Sequence, residues 1–301
     1  MSDTAQIVRK ANELGLTVPS FNTPYLPVME PVVRALVDQD CFGLIAVARP
    51  EWIKFEAKSL AAIAGEYAKW GQSSHTRLHL DHVPVIDEDQ LPVNYMEILQ
   101  EALDLGYQSV MVDGSRLDLE GNIAATRQAV ELAHSAGVPC EAELGAVMGH
   151  EAGPLPPYEE LYESGKGFTD VNEATQFVRE TGCDWLSVAI GNIHGAISVA
   201  ARDQKKLEAR LNLDHLELLH QATGIPLVLH GGSGIKQEYL LGAIQHGIAK
   251  VNIGTEIRQP YESTLRTTGS VAAAQDAVYE RTCWVIRDYF GLAGTAKKLM
   301  S

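Results

Sequence analysis

Residues 76–84 read Thr-Arg-Leu-His-Leu-Asp-His-Val-Pro, an alternating strand pattern that ends in an aspartate beside a histidine. A buried strand gains no stability from ending in titratable side chains, so Asp81 and His82 point to something that they bind or react with. Other short apolar runs end in the same manner: Asn22, Asp113-Gly114-Ser115, Glu143, Asn192 followed by His194-Gly195, His230-Gly231-Gly232-Ser233, and Asn252 followed by Gly254-Thr255. His82, His194, His230 and Glu143 come from four different strand ends. Imidazoles arriving from several directions, with one coordination position left open, suit a catalytic Zn²⁺ or another divalent cation. Any one of these histidines alone reads as a hydrogen-bonded structural residue, and the remaining histidines are taken that way, with His79 as a support for the metal shell. The shared position at strand ends is what argues for a metal. Gly231, Gly232 and Gly234 remove side chains where backbone N–H groups would approach an anion, and Ser233 adds a hydroxyl. The segment Asn252–Thr255 offers further donors ahead of a helix. A metal beside a phosphate cradle implies a phosphorylated substrate with an oxygen to polarise.

The elements that must position these groups alternate along the chain. Val-, Ile- and Leu-rich runs over 16–22, 42–48, 76–82, 109–115, 139–145, 185–192, 226–234 and 250–256 read as strands. Between them, segments such as 94–106 and 122–137 carry helical spacing, with Gly106, Gly137 and Gly224 placed where helix-ending glycines belong. Eight strands separated by helices predict parallel βαβ units closed into a (β/α)8 TIM barrel. An open doubly wound sheet would place its phosphate glycines after the first strand, whereas here they come late. Residues 146–170 are too rich in Gly and Pro, and too long, for an ordinary connection, and read as a long lid loop. After residue 257 a helical C-terminal extension is expected. No linker or repeat is evident, so residues 1–301 are expected to form one domain.

The 301 residues carry 24 Lys+Arg against 39 Asp+Glu, a formal charge of −15. That balance argues against nucleic acid or an anionic membrane as partner. Cys41, Cys140, Cys183 and Cys283 are widely spaced and read as reduced core residues. The first residues form an amphipathic helix pattern, and no run approaches the about 20 apolar residues of a membrane span. A cytoplasmic protein is expected.

Taken in order, SFN, LHLDH, SVMVDGS, EAELG, GNIHG, LHGGSG and VNIGTE resemble the class II, metal-dependent fructose-bisphosphate/tagatose-bisphosphate aldolases over nearly the whole chain. The resemblance implies zinc held by His82, His194 and His230, with Glu143 a nearby carboxylate able to join the metal. It implies Asp81 as catalytic acid/base and Glu151, in the long loop, as a lid glutamate for proton transfer. Gly195, Gly231, Ser233, Asn252 and Thr255 match a cradle for dihydroxyacetone phosphate, to which Asn22, Gly232 and Gly254 are added here as substrate- or phosphate-binding candidates. Backbone groups around Gly195 and Ser233 resemble a monovalent-cation site (Na⁺ or K⁺), and Asp113 matches a polar residue near the metal. Homodimers or homotetramers are the implied assemblies.

The sequence departs from this pattern around the metal. It reads FNTPYLP after the first strand, AVARPEW after the second and GHEA in the lid, and it carries an added segment at 83–95. The dihydroxyacetone phosphate half is therefore expected to be retained while the aldehyde half differs, with Asp113, Ser115 and Arg49 as candidate specificity residues. Arg49 would pair with a phosphate or carboxylate of that half, or else with Glu51 as a surface ion pair.

Overall fold

The structure is a computed structural model that describes residues 4–145, 158–192, 210–232 and 235–301. Its strands are β1 (Val18–Asn22), β2 (Gly43–Ala48), β3 (Thr76–Pro84), β4 (Ser109–Asp113), β5 (Cys140–Leu144), β6 (Trp185–Val188), β7 (Leu227–Leu229) and β8 (Ile248–Ile253). All neighbours are parallel, and β1 pairs with both β2 and β8, which closes the barrel. Each strand falls within a few residues of its predicted run. Helices occupy the connections, among them Tyr95–Asp104 and Leu119–Ser135.

Side chains alternate along each strand, and the two faces differ in chemistry. Phe21, Leu78, Leu80, Val110, Ala142, Leu144, Leu186, Val188, Val251 and Ile253 belong to the large apolar cluster shared with the surrounding helices. The other set is largely polar: Ser20, Asn22, Arg77, His79, Asp81, Ser109, Glu141, Glu143, Ser187, Lys250 and Asn252 are all buried. The barrel interior therefore carries a polar network. A second apolar cluster joins Ile7, Val8 and Ala11 of the helix Thr4–Glu13 to Val18, Phe42, Trp185 and Leu299. Val18, Phe42 and Trp185 lie at or just before strand starts, so the first helix packs over the N-terminal end of the barrel, opposite the end where this architecture carries its sites.

The C-terminal extension is helical, as expected, and it folds back on the barrel. Helix Val271–Trp284 packs on Met29–Asp38, where Tyr279 donates to Asp38 at 2.8 Å and Arg34 covers the Tyr279 ring at 4.3 Å. Within the stretch read as an irregular lid, residues 158–164 form a helix, Tyr158–Ser164. All four cysteines are free and buried. Among the described residues no helix is long and apolar enough to cross a membrane.

Candidate active site

Asp81 stands at the end of β3 and is 1% exposed. Two asparagines clamp it: Asn252 Nδ2 donates to Oδ1 at 2.9 Å and Asn22 Nδ2 to Oδ2 at 3.0 Å. Burial alone would make it a neutral acid, but the neighbouring His82, His79 and Lys250 hold the carboxyl well below the usual carboxylate range. The mouth thus contains an ionised carboxylate with fixed orientation, the protonation state that a general base requires.

In a regular pleat the residue after Asp81 would face the surrounding helices. His82 instead adopts a positive φ of 40°, and the pairing of β3 with β4 shifts register between Leu80 and Val83. That irregularity turns consecutive residues toward one site, a recurrent use of bulges beside functional groups. His82 Nε2 lies 2.6 Å from Nδ1 of His230, which follows β7. Glu143 Oε2, from β5, is 3.3 Å from the same His230 nitrogen. Donor atoms gather about His82 in two sets, one with Asp81 and His230 and one with Asp113 and Glu143, and imidazole nitrogens with carboxylate oxygens at such distances suit a divalent metal. The electrostatics agree. Burial opposes a charge on His82, yet Asp81, Asp113 and Glu143 overcome it and push the imidazole up to about 10, so these surroundings favour a cation. His82, His230 and Glu143 therefore fit the metal that their sequence positions suggested.

Asp113 supports His82 from behind, with Oδ2 3.7 Å from Nδ1. The backbone N–H of Ser115 donates to Asp113 Oδ1 at 3.0 Å and its hydroxyl donates at 2.6 Å, which ties both residues into the turn after β4. Gly114 lies between them because a Cβ there would come within 2.2 Å of Asn122 Oδ1. Beneath the mouth, Glu141 Oε1 bonds His230 Nε2 at 2.7 Å, leaving Nδ1 of that ring for the site. Glu141 Oε2 takes the Lys250 ammonium at 2.8 Å and the Trp185 indole at 2.5 Å. Burial raises the Glu141 carboxyl, but Lys250 and His230 outweigh it and hold it at about 2. Lys250 also donates to Asn252 Oδ1 at 2.7 Å, joining this interior network to the clamp on Asp81. His79 bonds Ser109 through Nδ1 at 2.8 Å, and its Nε2 lies 3.6 Å from both Asp81 and Glu141.

The side-chain amides of Asn22 and Asn252, two of the candidates for binding substrate or phosphate, each donate to Asp81. Gly231 has a φ of 69°, and a Cβ on Gly232 would meet the Asn252 carbonyl at 2.9 Å, so both positions require glycine. Gly254 and Thr255 stand at the start of helix Thr255–Thr268. Glu151, His194, Gly195 and Ser233, and with the last two the expected monovalent-cation site, lie outside the described residues. Arg49 pairs with Asp87 at 3.5 Å, not with Glu51. Asp87 belongs to the added segment, which forms a small hairpin through the Ile86–Pro92 bridge. Glu51 is buried, not on the surface, and it accepts the Ala48 N–H at 2.7 Å. Sequence reading missed Glu51, Glu141 and Lys250. The last two sit two residues before Glu143 and Asn252 on the same inward faces, so strand alternation was the signal available for them.

The sequence model of the class-II fructose-bisphosphate aldolases matches residues 2–296. A fructose-bisphosphate aldolase of Streptococcus pneumoniae is 32% identical over 279 residues, which cover 92% of this chain and 86% of that protein. The uncharacterized protein YdjI of Escherichia coli K12 is 44% identical over 164 residues, 54% of each chain. The crystal structure of the E. coli YdjI aldolase superposes with a TM-score of 0.77 at 28% identity, covering 98% of this chain and 99% of that one. With the site at the C-terminal strand ends of a closed barrel and a family match over residues 2–296, the chain belongs to the class-II fructose-bisphosphate aldolase family.

Proposed function

We propose that the protein is a zinc-dependent aldolase that reversibly cleaves fructose or tagatose 1,6-bisphosphate to dihydroxyacetone phosphate and glyceraldehyde 3-phosphate. The observation that carries this reading is the ionised, doubly clamped Asp81 beside His82 and Glu143, both of which approach Nδ1 of His230. His82, His230 and His194, with Glu143 alongside, would hold the metal. A divalent metal there supplies Lewis-acid polarisation of the ketose carbonyl and stabilises the negative charge that develops in the transition state. Asp81 accepts the C4 hydroxyl proton as the C3–C4 bond breaks, and C4 becomes the aldehyde carbon. The electron pair stays on the C3 side, where Glu151 delivers the proton that completes dihydroxyacetone phosphate. Gly195, Gly231, Gly232, Ser233, Gly254 and Thr255 hold its phosphate, with a monovalent cation as support. Asp113 and Ser115 keep His82 oriented. A cytoplasmic homodimer or homotetramer is the assembly we expect, checked by light scattering of the purified protein.

The test is cleavage of both bisphosphates by purified protein, coupled to detection of dihydroxyacetone phosphate, with EDTA and with Zn²⁺ added back. Zinc-restored cleavage of either sugar supports the reading, and the preferred sugar gives the C4 configuration accepted. Absence of cleavage with zinc bound sinks the bisphosphate assignment. A second reading, the same bond cleavage on another phosphorylated ketose, is favoured by the Arg49–Asp87 pair, which neutralises the one cation expected to meet the aldehyde half. Condensing dihydroxyacetone phosphate with a panel of aldehydes separates the two readings.

A further inference from the structure

The end of the C-terminal extension has no part in the mechanism above. Helix Val271–Trp284 continues into a π-helical turn over Val285–Tyr289, closed by the Phe290 N–H on the Val285 carbonyl at 3.0 Å. Such turns are rare and recur at functional places. Tyr289, the last residue of the turn, donates its hydroxyl to the Ile235 carbonyl. Gln237, which opens helix Gln237–Gln245, donates its side-chain amide to the carbonyls of Asp288 at 2.8 Å and Tyr289 at 3.0 Å, groups that a helix end leaves without partners. Ile235 directly follows Gly231–Gly234 in the sequence, so the extension grips the chain between the glycines after β7 and the next helix. A second grip reaches the segment after β8. Arg281 Nε donates to Glu256 Oε2 at 2.8 Å and Nη2 donates to the same oxygen, and Glu256 adjoins Thr255 in the first turn of helix Thr255–Thr268. Stacking joins the two grips: the Arg281 guanidinium lies 3.9 Å over the Trp284 ring, which stacks on Tyr289 at 5.4 Å and 20°.

We propose that Arg281 and Tyr289 are positioning residues that hold the two strand-end segments of the phosphate cradle, Gly231–Gly232 after β7 and Gly254–Thr255 after β8, at the separation a phosphate group needs. Glycine supplies close backbone approach and no stiffness of its own, so N–H groups that must converge on one anion depend on neighbours to fix them. Fixing them before the ligand arrives removes an ordering cost from binding. Tyr289 does this for the segment after β7 through Ile235. Burial and the charge of Glu256 push its phenol up to about 12 against the opposing charge of Arg281, so the hydroxyl keeps its proton and remains a donor. Arg281 has a second task. A carboxylate in the first turn of a helix favours that helix when the N-terminus is empty and competes with an anion that comes to it. The guanidinium on Glu256 cancels that charge while tying the helix start to the extension.

The role rests on reading those glycines and Thr255 as the phosphate site, so the test pairs a ligand that carries a phosphate with one that does not. With zinc-loaded protein, calorimetric titration gives Kd for dihydroxyacetone phosphate and for acetohydroxamate, which chelates a metal and has no phosphate. Tyr289→Phe keeps the ring that stacks on Trp284 and loses the hydroxyl, and Arg281→Met leaves Glu256 without its counter-charge. Each weakens dihydroxyacetone phosphate by about 5- to 20-fold and leaves acetohydroxamate within about 2-fold of the wild type. A merely structural role would move both ligands together. The double variant Arg281→Met/Glu256→Gln removes the competing charge and recovers dihydroxyacetone phosphate affinity to within about 3-fold of the wild type. Unchanged phosphate affinity in Tyr289→Phe overturns the proposal, as do equal losses for the two ligands or a double variant that recovers nothing. If the wild type itself binds dihydroxyacetone phosphate no more tightly than dihydroxyacetone, the reading of the cradle fails, and the role of the extension falls with it.

Discussion

At the scale of single residues, environment drives two buried carboxyls apart, with Glu51 pushed up to about 8 by burial and Asp81 held well below the usual carboxylate range by its cationic neighbours. Asp81→Asn keeps the size of the side chain and removes the proposed base. We expect kcat to fall by about 10²–10⁴ with zinc content unchanged, measured by retro-aldol rate and metal analysis on one preparation. Loss of zinc along with activity would instead make Asp81 a metal-site residue. Glu51 gives a stability prediction that needs no substrate. Its carboxyl binds a proton more tightly folded than unfolded, so it favours the folded state fully below the ordinary value of 4.5, and this contribution is lost as pH rises through about 8. Glu51→Gln has no such loss and should become more stable than the wild type above about pH 8, by up to a few kcal/mol, in denaturant titrations across pH. Asp81, His82, Glu143 and His230 were legible in the sequence because titratable groups stand out at the ends of apolar strands. Glu51 was not, because Arg-Pro-Glu-Trp reads as the exposed start of a helix, and its burial emerges only in the folded barrel.

At the scale of elements, local irregularities place the chemistry. A regular β3 would offer Asp81 to the mouth and turn His82 away, and the positive φ at His82 with the register shift beside it brings in both. No periodicity in the sequence encodes that turn, although the Asp-His doublet hinted at its need. The hairpin after β3 is organised by Asp87, whose Oδ1 accepts the N–H groups of Asp89 and Leu91 while Oδ2 faces Arg49. Asp87→Asn keeps an oxygen for the turn and leaves Arg49 without its counter-charge. We expect the ratio of kcat/KM for a phosphorylated over an unphosphorylated aldehyde, in condensation with dihydroxyacetone phosphate, to rise by about 3- to 10-fold. An unchanged ratio would remove Arg49 from the aldehyde half. Helix Tyr158–Ser164 escaped sequence reading for a different reason, since its single pair of turns is surrounded by the Gly- and Pro-rich composition that masks it.

At the scale of the whole molecule, the barrel core couples stability to the site. The eight strands and their order were readable because each outward face is apolar and contributes to one cluster with the helices. The polar inward face was harder to see, since its members are spread over six strands, one to three on each, and meet only when the barrel closes. Lys250, Glu141, Trp185 and His230 then form a chain from the interior to the candidate site, which it enters at the His230 imidazole. Replacing Lys250 by Met leaves Glu141 buried without its cation, a loss of about 3–5 kcal/mol for a broken buried pair. The same change removes the charge that holds Glu141 ionised against His230, and zinc affinity should fall by about 10- to 100-fold. The two effects separate in the double variant Lys250→Met/Glu141→Met. An apolar pair of similar volume restores stability toward the wild type in the metal-free protein, whereas His230 still lacks its carboxylate and zinc remains weakly held. Denaturant unfolding in EDTA and zinc titration of the folded protein read the two quantities independently. Zinc affinity recovering together with stability would show that Glu141 serves the fold alone and has no part in orienting His230.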